Sequence, residues 1–131
     1  MSRLAWMIIG SGAGLYVLLL VIVYFLQEQF IFFPQKLGRD YHFAFSGRFE
    51  ERFFAMRDGT RLNGILFRAD TAKGLVFYLH GNAGSLKSWG EIAGTYTGLG
   101  YDVFMLDYRG YGKSEGTIRN EAQFHQDIRA V

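Results

Sequence analysis

Cysteine is absent from the 131 residues, and proline occurs once, at Pro34. Without cysteine the chain has no disulfide framework, no thiol nucleophile and no cysteine-based metal site. The three histidines, His42, His80 and His125, do not have the short spacings typical of metal ligands. The composition therefore gives no sign of a metal site.

An excess of one charge sign is also missing. The 14 basic and 12 acidic residues are mixed along the chain, and the formal net charge at pH 7 is +2. No basic stripe is available to follow a phosphate backbone, so we predict no nucleic-acid partner. The length allows one domain at most.

Charged residues are missing altogether from residues 4–26, a run of 23 positions. At about 1.5 Å per residue a helix of this length reaches roughly 35 Å, and the hydrocarbon layer of a bilayer is about 30 Å thick. Trp6 lies near one end of the run, and Tyr24 and Phe25 near the other, as interfacial aromatic residues often do. The run predicts a transmembrane helix over residues 4–26. A cleaved signal peptide is the alternative, but the run is long for one and no small-residue cleavage site follows it.

Positive charges on the two sides of this helix are nearly balanced, with Arg3 before it and Lys36 and Arg39 after it. We expect a single-pass membrane protein, with the bilayer as a partner and the soluble part on the extracytoplasmic side. Residues 27–48 form a connector in which Pro34 ends any helix. Its aromatic side chains are expected on the membrane surface or on the domain: Tyr41, His42, Phe43 and Phe45.

The rest of the chain begins with strand patterns. Residues 49–56 and 62–68 alternate apolar and polar positions on either side of Asp58-Gly59, which predicts an antiparallel hairpin. Residues 75–79, Leu-Val-Phe-Tyr-Leu, form a continuous apolar run. Such a run is typical of a strand in a parallel sheet that is buried on both faces.

Two helices and one more strand follow. Residues 87–99 carry apolar side chains at helical spacing, and residues 103–106 form a second buried run. Another helix begins near Asn120, with Gln123 as its capping-box partner. The order of the elements predicts an α/β fold, in which a hairpin leads into parallel strands with helices, over a partial domain of residues 49–131.

A turn bracketed by glycines, His-Gly-Asn-Ala-Gly at residues 80–84, comes directly after the apolar run at residues 75–79. A strand, a glycine turn and a helix start place backbone N–H groups at the carboxyl edge of the sheet. Open α/β sheets bind ligands at that edge, and helix starts receive anions. A tight glycine turn with no chemistry is the alternative interpretation.

The loop after the second buried run contains Gly-Lys-Ser-Glu-Gly at residues 112–116, which matches the pattern of a nucleophile elbow. An elbow needs its serine at a sharp turn between strand and helix, and Ser114 lies well past the strand end. An acid and then a histidine should follow the serine, but His125 precedes Asp127. We therefore predict that Ser114 is not a nucleophile. The basic residues of this loop are expected on a solvated face: Arg109 and Lys113.

The turn at residues 80–84 and the loop at residues 107–116 together resemble two motifs of the α/β-hydrolase superfamily, in the same order and separation. The closest resemblance is to its membrane-anchored serine hydrolases, which also begin with an anchor and an aromatic-proline connector. The resemblance implies that the backbone N–H of Asn82 contributes to an oxyanion hole. It implies that three further residues shape this turn: His80, Gly81 and Gly84. His80 would not be the catalytic base.

The resemblance also implies a serine hydrolase that cleaves an ester, thioester or amide by acyl transfer, with no metal and no organic cofactor. A membrane position suggests acyl-ester, lipid or peptide substrates. The whole triad is expected beyond Val131, so we expect a hydrolase truncated before its serine and inactive as this chain. The alternatives are a non-catalytic membrane-anchored binding or scaffold protein and a non-functional gene fragment.

The strand order of the family places a further strand beside residues 75–79. We therefore expect that edge of the sheet to be apolar and unpaired here, which is an aggregation hazard. We predict that residues 27–131 alone neither hydrolyse esters nor fold cooperatively.

Overall fold

The computed structural model describes residues 2–131, and the chain divides into two compact units, with the boundary between Phe33 and Pro34. The first unit is one helix, α1 (Arg3–Ile31), capped by the Ser2 hydroxyl, which accepts a hydrogen bond from the Ala5 N–H at 3.3 Å. None of the residues of α1 is buried, and the helix is long and apolar enough to cross a membrane. A membrane span and a signal sequence share that property.

α1 continues five residues past the predicted end at residue 26. Glutamine and glutamate, which fill residues 27–29, are good helix formers, so the helix does not end where the apolar run ends. It does end before Pro34, as predicted: Phe32 is already extended, with φ −102° and ψ 120°.

The remaining elements are short. In chain order they are β1 (Phe33–Pro34), β2 (Arg48–Ala55), β3 (Arg61–Arg68), β4 (Leu75–Tyr78), β5 (Ala83–Gly84), α2 (Leu86–Trp89), a 3-10 turn (Gly90–Ile92), α3 (Ala93–Gly98), β6 (Asp102–Leu106) and α4 (Glu121–Ala130).

Four of the strands form one mixed sheet in the order β2-β3-β6-β4. β2 and β3 form the predicted hairpin, with Ala55 opposite Arg61 at its closed end. β4 and β6 run parallel, as predicted, with Val76 opposite Val103. β3 joins β6 in the antiparallel direction, and this pairing links the hairpin to the parallel strands.

Side chains of alternating positions on the central strands form two cores, one on each face of the sheet. One core is covered by the helices after β4, and its buried members are Ile65, Phe67, Leu86, Ala93, Val103 and Met105. The other core contains Met56, Leu62 and Leu106, with Ile128 of α4 packed against it. Two aromatic residues of the connector, Phe43 and Phe45, pack against the first core, so they lie on the domain.

Residues 86–98 are helical in three pieces, α2, the 3-10 turn and α3, instead of the single helix predicted for residues 87–99. Gly90 and Gly94 lower the helix propensity of this segment. Gly90 also packs against the connector, because a Cβ at this position would overlap the ring of Phe45. Contact with the connector therefore requires a residue that weakens the regular helix.

The prediction that residues 75–79 are buried on both faces was wrong. β4 is an edge strand, and its outward face is open: Leu75 is 61% exposed, Phe77 40% and Leu79 46%. Central β3 has the expected burial instead, with Leu62 to Phe67 buried. A strand is buried on both faces only where layers cover both, and the described residues cover one face of β4. The apolar, unpaired edge agrees with the expectation drawn from the strand order.

α4 begins as predicted after Asn120, whose side chain accepts the Gln123 N–H at 2.9 Å. The Gln123 side chain accepts the N–H of Arg119 at 2.8 Å, not that of Asn120. The reciprocal bond of the capping box is thus shifted by one residue.

Candidate active site

The turn at residues 80–84 follows the carboxyl end of β4 and lies next to the carboxyl end of β6. The two strands are parallel and paired from Leu75 opposite Asp102 to Tyr78 opposite Met105. They therefore end at the same edge of the sheet. α2 begins directly after the turn, with Ser85 as its N-cap. This is the edge at which open α/β sheets bind ligands.

Each of the five carbonyl oxygens of this turn accepts a hydrogen bond. Four donors are side-chain groups and one is a backbone amide: Tyr108 Oη to His80 O at 2.7 Å, His80 Nδ1 to Gly81 O at 2.9 Å, Tyr111 Oη to Asn82 O at 2.8 Å, Trp89 Nε1 to Ala83 O at 2.7 Å, and the Gln35 N–H to Gly84 O at 2.8 Å. The carbonyl and N–H of a trans peptide unit point in opposite directions. Fixing the carbonyls consequently fixes the N–H groups as well.

The N–H of Asn82 shares a peptide unit with the carbonyl of Gly81. That carbonyl faces the buried ring of His80, and the described chain has no cis peptide bonds. The Asn82 N–H thus points away from the ring, and the hydrogen bonds among residues 2–131 give it no acceptor. Asn82 is exposed. The turn presents a hydrogen-bond donor at this edge, while its carbonyls are already occupied.

The side chains of His80 and Asp107 are fully buried, with Nε2 of the ring 3.3 Å from Oδ1 of the carboxyl group. This is ion-pair distance, but the approach falls outside hydrogen-bond geometry, and Nε2 and Oδ2 have no hydrogen-bond partner among the described residues. Asp107 Oδ1 also accepts the Leu86 N–H at 2.9 Å, at the start of α2. Burial raises the pKa of the Asp107 carboxyl, although the His80 ring and the Leu86 N–H act against it.

Two glycines here have the left-handed backbone that other residues rarely adopt. Gly84 has φ +85°, and a Cβ on it would lie 2.7 Å from a side-chain oxygen of α2. Gly112 has φ +46°, and a Cβ on it would overlap Oδ2 of Asp107. Gly84 therefore allows the turn to close onto α2, and Gly112 allows the loop to pass directly over the buried carboxyl group. Gly81 lies against the ring of Trp89, 3.1 Å from where a Cβ would be.

Ser114 is buried and its hydroxyl is engaged on both sides. Its Oγ donates to the carbonyl of Asp107 and accepts the Asn63 N–H at 2.8 Å. It thus links the end of β6 to β3. His125 is exposed on α4, beside Glu121 of the same helix. That Ser114 is not a nucleophile stays a prediction, and the two hydrogen bonds of its buried hydroxyl are the observation behind it.

The expectation that Arg109 and Lys113 lie on a solvated face was wrong. Arg109 is 6% exposed, and its guanidinium group donates to Asp127 at 2.6 Å and to Asp58 at 2.6 Å. Lys113 is 7% exposed and donates to Glu51 Oε1 at 2.8 Å. Buried charges require partners of opposite sign. The partners come from the hairpin and from α4, which are distant in the sequence.

Three residues that donate to carbonyls of the turn were not predicted from the sequence: Tyr108, Tyr111 and Trp89. Burial raises the pKa of both tyrosine hydroxyls, which keeps them protonated and able to donate. A signal for the tyrosines existed, because they follow a strand that is predicted to run parallel to the strand before the turn. Parallel strands bring the residues after them to one edge.

A cleft of about 590 Å³ lies elsewhere, between the hairpin turn and α4, and Arg57, Asp58, Arg109 and His125 are among its lining residues. No residue of the turn lines it. We place the candidate site at the turn, because the turn follows the carboxyl ends of the two parallel strands, the edge at which open α/β sheets bind ligands.

Comparison with known proteins agrees with this geometry. The family described as serine aminopeptidase, S33, matches residues 70–131, which include β4, the turn, β6 and α4. An uncharacterized protein named YfhR from Escherichia coli (strain K12) is 39% identical over 69 residues, which are 49% of this chain and 24% of that protein.

Two solved structures share the fold. The esterase Pf2001 of Pyrococcus furiosus aligns with a TM-score of 0.54 at 18% identity, over 76% of this chain and 39% of the esterase chain. An α/β-hydrolase from Vibrio vulnificus aligns with a TM-score of 0.52 at 25% identity, over 64% of this chain and 28% of that chain. The present chain spans about a quarter of the length of the curated relatives it matches. The chain therefore has part of the α/β-hydrolase fold, and over residues 70–131 it is similar to the serine aminopeptidase family.

Proposed function

We propose that this chain supplies the oxyanion-binding part of a membrane-anchored serine hydrolase, which cleaves an ester, thioester or amide bond by acyl transfer. The proposal rests on one observation. The five carbonyls of the turn at residues 80–84 are all hydrogen-bonded, while the Asn82 N–H, on the side of its peptide unit opposite the His80 ring, has no acceptor among the described residues. In acyl transfer the substrate carbonyl oxygen gains negative charge, and preorganised N–H donors stabilise that charge.

Preorganisation is the property that makes such a donor effective, because a donor already in place needs no rearrangement during the reaction. Three side chains each donate a hydrogen bond to a different carbonyl of the turn: Tyr108, Tyr111 and Trp89. A donor of this kind typically contributes about 10²- to 10³-fold to kcat. The loop after β6 therefore supports catalysis by holding the turn, without contacting the substrate.

The reaction class is supported by the names of similar proteins. The matching family is described as a serine aminopeptidase, and one structural neighbour is an esterase. Amide and ester cleavage both proceed through a tetrahedral state with a charged oxygen, which is the species that the turn is suited to bind. Acyl-ester, lipid and peptide substrates all belong to this class.

The nucleophile is proposed to lie outside these 131 residues, so the chain by itself is inactive. Ser114, which has the elbow pattern, is buried and hydrogen-bonded on both sides. Within residues 2–131 no hydrogen bond joins a serine hydroxyl to a histidine. The curated relatives are about four times as long as the segment they share with this chain, which leaves room for a nucleophile, an acid and a base.

The apolar helix α1 is proposed to be the membrane anchor, with the soluble unit on the extracytoplasmic side. Its residues are unburied over its whole length, so in water it would expose a large apolar surface. Insertion into a bilayer would remove that surface from water. A bilayer also offers a local supply of lipid and acyl-ester substrates.

The decisive experiment removes the proposed donor from the longer gene product that this proposal requires, in which the nucleophile, the acid and the base follow these residues. Asn82→Pro deletes the backbone N–H, and kcat for ester hydrolysis should fall about 10²- to 10³-fold with little change in KM. Asn82→Ala keeps the N–H and should stay near wild type.

Equal losses in the two variants, or an unimpaired proline variant, would contradict the assigned donor. Labelling of the wild-type protein by a fluorophosphonate probe tests for the serine nucleophile. A wild-type protein that neither labels nor hydrolyses esters would favour the non-catalytic alternative.

A further inference from the structure

The buried pair of His80 and Asp107 lies beside the turn, and the proposed acyl transfer does not use it. We propose that this pair positions the oxyanion donor: His80 donates a hydrogen bond from Nδ1 to the carbonyl of Gly81, the buried pair retains one further proton on either the ring or the Asp107 carboxyl group, and the contact with Gly81 turns the Asn82 N–H away from the ring. The inference rests on the proposed function, because only in that function does the Asn82 N–H bind the charged oxygen of the substrate. Its geometry stands independently.

The proton on Nδ1 follows from the chemistry of its partner. Gly81 O lies 2.9 Å from Nδ1, within hydrogen-bond distance. A carbonyl oxygen only accepts, so the ring nitrogen must carry the hydrogen. If the ring were protonated only at Nε2, two lone pairs would face each other at this distance.

The second proton follows from the contact on the other side of the ring. A neutral ring protonated at Nδ1 leaves a lone pair on Nε2. The nearest Asp107 oxygen is 3.3 Å away, and both side chains are fully buried. An ionised carboxyl group there would face that lone pair inside a fully buried site, which is costly.

One further proton retained by the pair removes the conflict. Either the carboxyl group carries it and faces Nε2, or the ring carries it as an imidazolium that faces a carboxylate. The pair has zero net charge in both cases, which is the state that a buried site tolerates. The raised pKa of the Asp107 carboxyl, caused by burial, agrees with retention of a proton in the pair.

Other groups near the pair do not supply this proton. Lys36 is the nearby cation: it lowers the pKa of Asp107, against the effect of burial, and its Nζ donates to Ser114 O at 2.9 Å. The hydroxyls of Tyr108 and Tyr111 donate to carbonyls of the turn. Tyr78 is the other titratable side chain of this region. None of these groups has a hydrogen bond with Nε2 among the described residues.

The position of the ring proton therefore selects the direction of one peptide unit. With the hydrogen on Nδ1, the Gly81 carbonyl is held toward the ring and the Asn82 N–H faces outward. With the hydrogen only on Nε2, that carbonyl loses its donor, and the peptide unit between two conformationally adaptable residues is free to rotate. His80 is thus a positioning residue, and Asp107 acts through it.

The first test reads the ring directly. In the full 131-residue chain in detergent micelles, ¹⁵N-labelled histidine shows by NMR which ring nitrogens carry hydrogen. We expect Nδ1 of His80 to carry hydrogen, because its partner is a carbonyl oxygen. A His80 ring protonated only at Nε2 would overturn the inference. His42 and His125, both exposed, are internal references in the same spectra.

The second test compares two substitutions. His80→Asn retains a side-chain N–H donor close to the backbone, and His80→Phe retains the ring shape without a donor. We expect the Asn82 amide resonance to stay near its wild-type position in His80→Asn and to shift in His80→Phe. His125→Phe, at an exposed position, is the matched control and should change neither.

The same displacement of the Asn82 resonance in both His80 variants would show that the ring acts by packing and would contradict a role as donor. Neither measurement needs hydrolysis. Failure of the longer gene product to turn over esters, with Nδ1 of His80 carrying hydrogen, would count against the proposed function alone. Ester turnover with a His80 ring protonated only at Nε2 would count against this inference alone.

Discussion

The hydroxyl of Tyr111 donates a hydrogen bond to the carbonyl oxygen of Asn82 at 2.8 Å. These two residues are 29 positions apart, one in the loop after β6 and the other in the turn after β4. Tyr108 makes the corresponding contact with the carbonyl of His80 at 2.7 Å. One motif of the chain therefore holds the other in position, which explains physically why both occur together at this edge of the sheet.

Removal of the Tyr111 hydroxyl is expected to loosen the turn and leave the sheet intact. Tyr111→Phe deletes one hydrogen bond, which typically contributes about 1 kcal/mol to stability. Amide hydrogen exchange at Leu86, directly after the turn, should accelerate about fivefold. Tyr101→Phe is the matched control, because Tyr101 is 39% exposed and lies outside the turn. Unchanged exchange in Tyr111→Phe would show that this bond does not hold the turn.

Removal of the Ser114 hydroxyl is expected to affect stability and to spare catalysis. Ser114→Ala leaves the buried N–H of Asn63 without its acceptor, at a cost of about 1–3 kcal/mol. Exchange of the amides that pair β3 with β6 should report this loss. Ser46→Ala, which removes an exposed hydroxyl from the connector, is the control. Loss of fluorophosphonate labelling from the longer gene product carrying Ser114→Ala would instead identify Ser114 as a nucleophile.

The contact between Asp58 and Arg109 is expected to respond to acid. Hydrogen bonding to Arg109, and then to the Thr60 N–H, holds the pKa of the Asp58 carboxyl below its ordinary value. The folded-state pKa is thus lower than the unfolded value, about 3.9. The stabilisation is present above about pH 4 and is lost as the pH falls through the folded-state pKa.

The amide resonance of Thr60 measures this effect, because its N–H donates to Asp58 Oδ1 at 3.1 Å. It should remain constant down to about pH 4 and shift at lower pH. Asp58→Asn has no charge to lose and should abolish the shift. Asp70→Asn, at a fully exposed carboxyl group, should leave it unchanged. A Thr60 shift centred near the unfolded-state value in the wild type would disprove the effect of Arg109.

The apolar edge at β4 is expected to drive aggregation of residues 27–131 when they are expressed alone. Phe77 is 40% exposed on an unpaired strand, and a charge on such an edge opposes strand-to-strand association. Phe77→Lys should reduce light scattering and sedimentation of this segment. Phe53→Lys is the matched control, because Phe53 is 49% exposed on β2, the other edge strand, which already carries charged residues.

Equal effects of the two lysines would show that added charge, and not the β4 edge, controls association. The same segment is predicted to show no sharp thermal transition and no ester turnover. A sharp transition in its heat capacity would contradict that prediction.

Local patterns were sufficient for most of the fold. The Asp58-Gly59 hairpin, the parallel pair of β4 and β6, and the start of α4 at Asn120 all follow from residue types that interact over a few positions. The burial of β4 could not be predicted this way, because an apolar run has the same sequence whether a neighbour covers it or not. The break in the helix after the turn likewise depends on Phe45, which comes from 45 positions before Gly90.

For the candidate site, too, one part could be predicted from the sequence and another part could not. The sequence by itself determined that a glycine turn follows a strand and precedes a helix, since glycine and strand patterns act within a few residues. Only the tertiary structure decided that Tyr108, Tyr111 and Trp89 occupy the carbonyls of that turn, and that Arg109 and Lys113 are buried in ion pairs. The physical reason is that hydrogen bonds and ion pairs depend on distance through space. Two groups become partners when the sheet brings their strand ends together, whatever their separation along the chain.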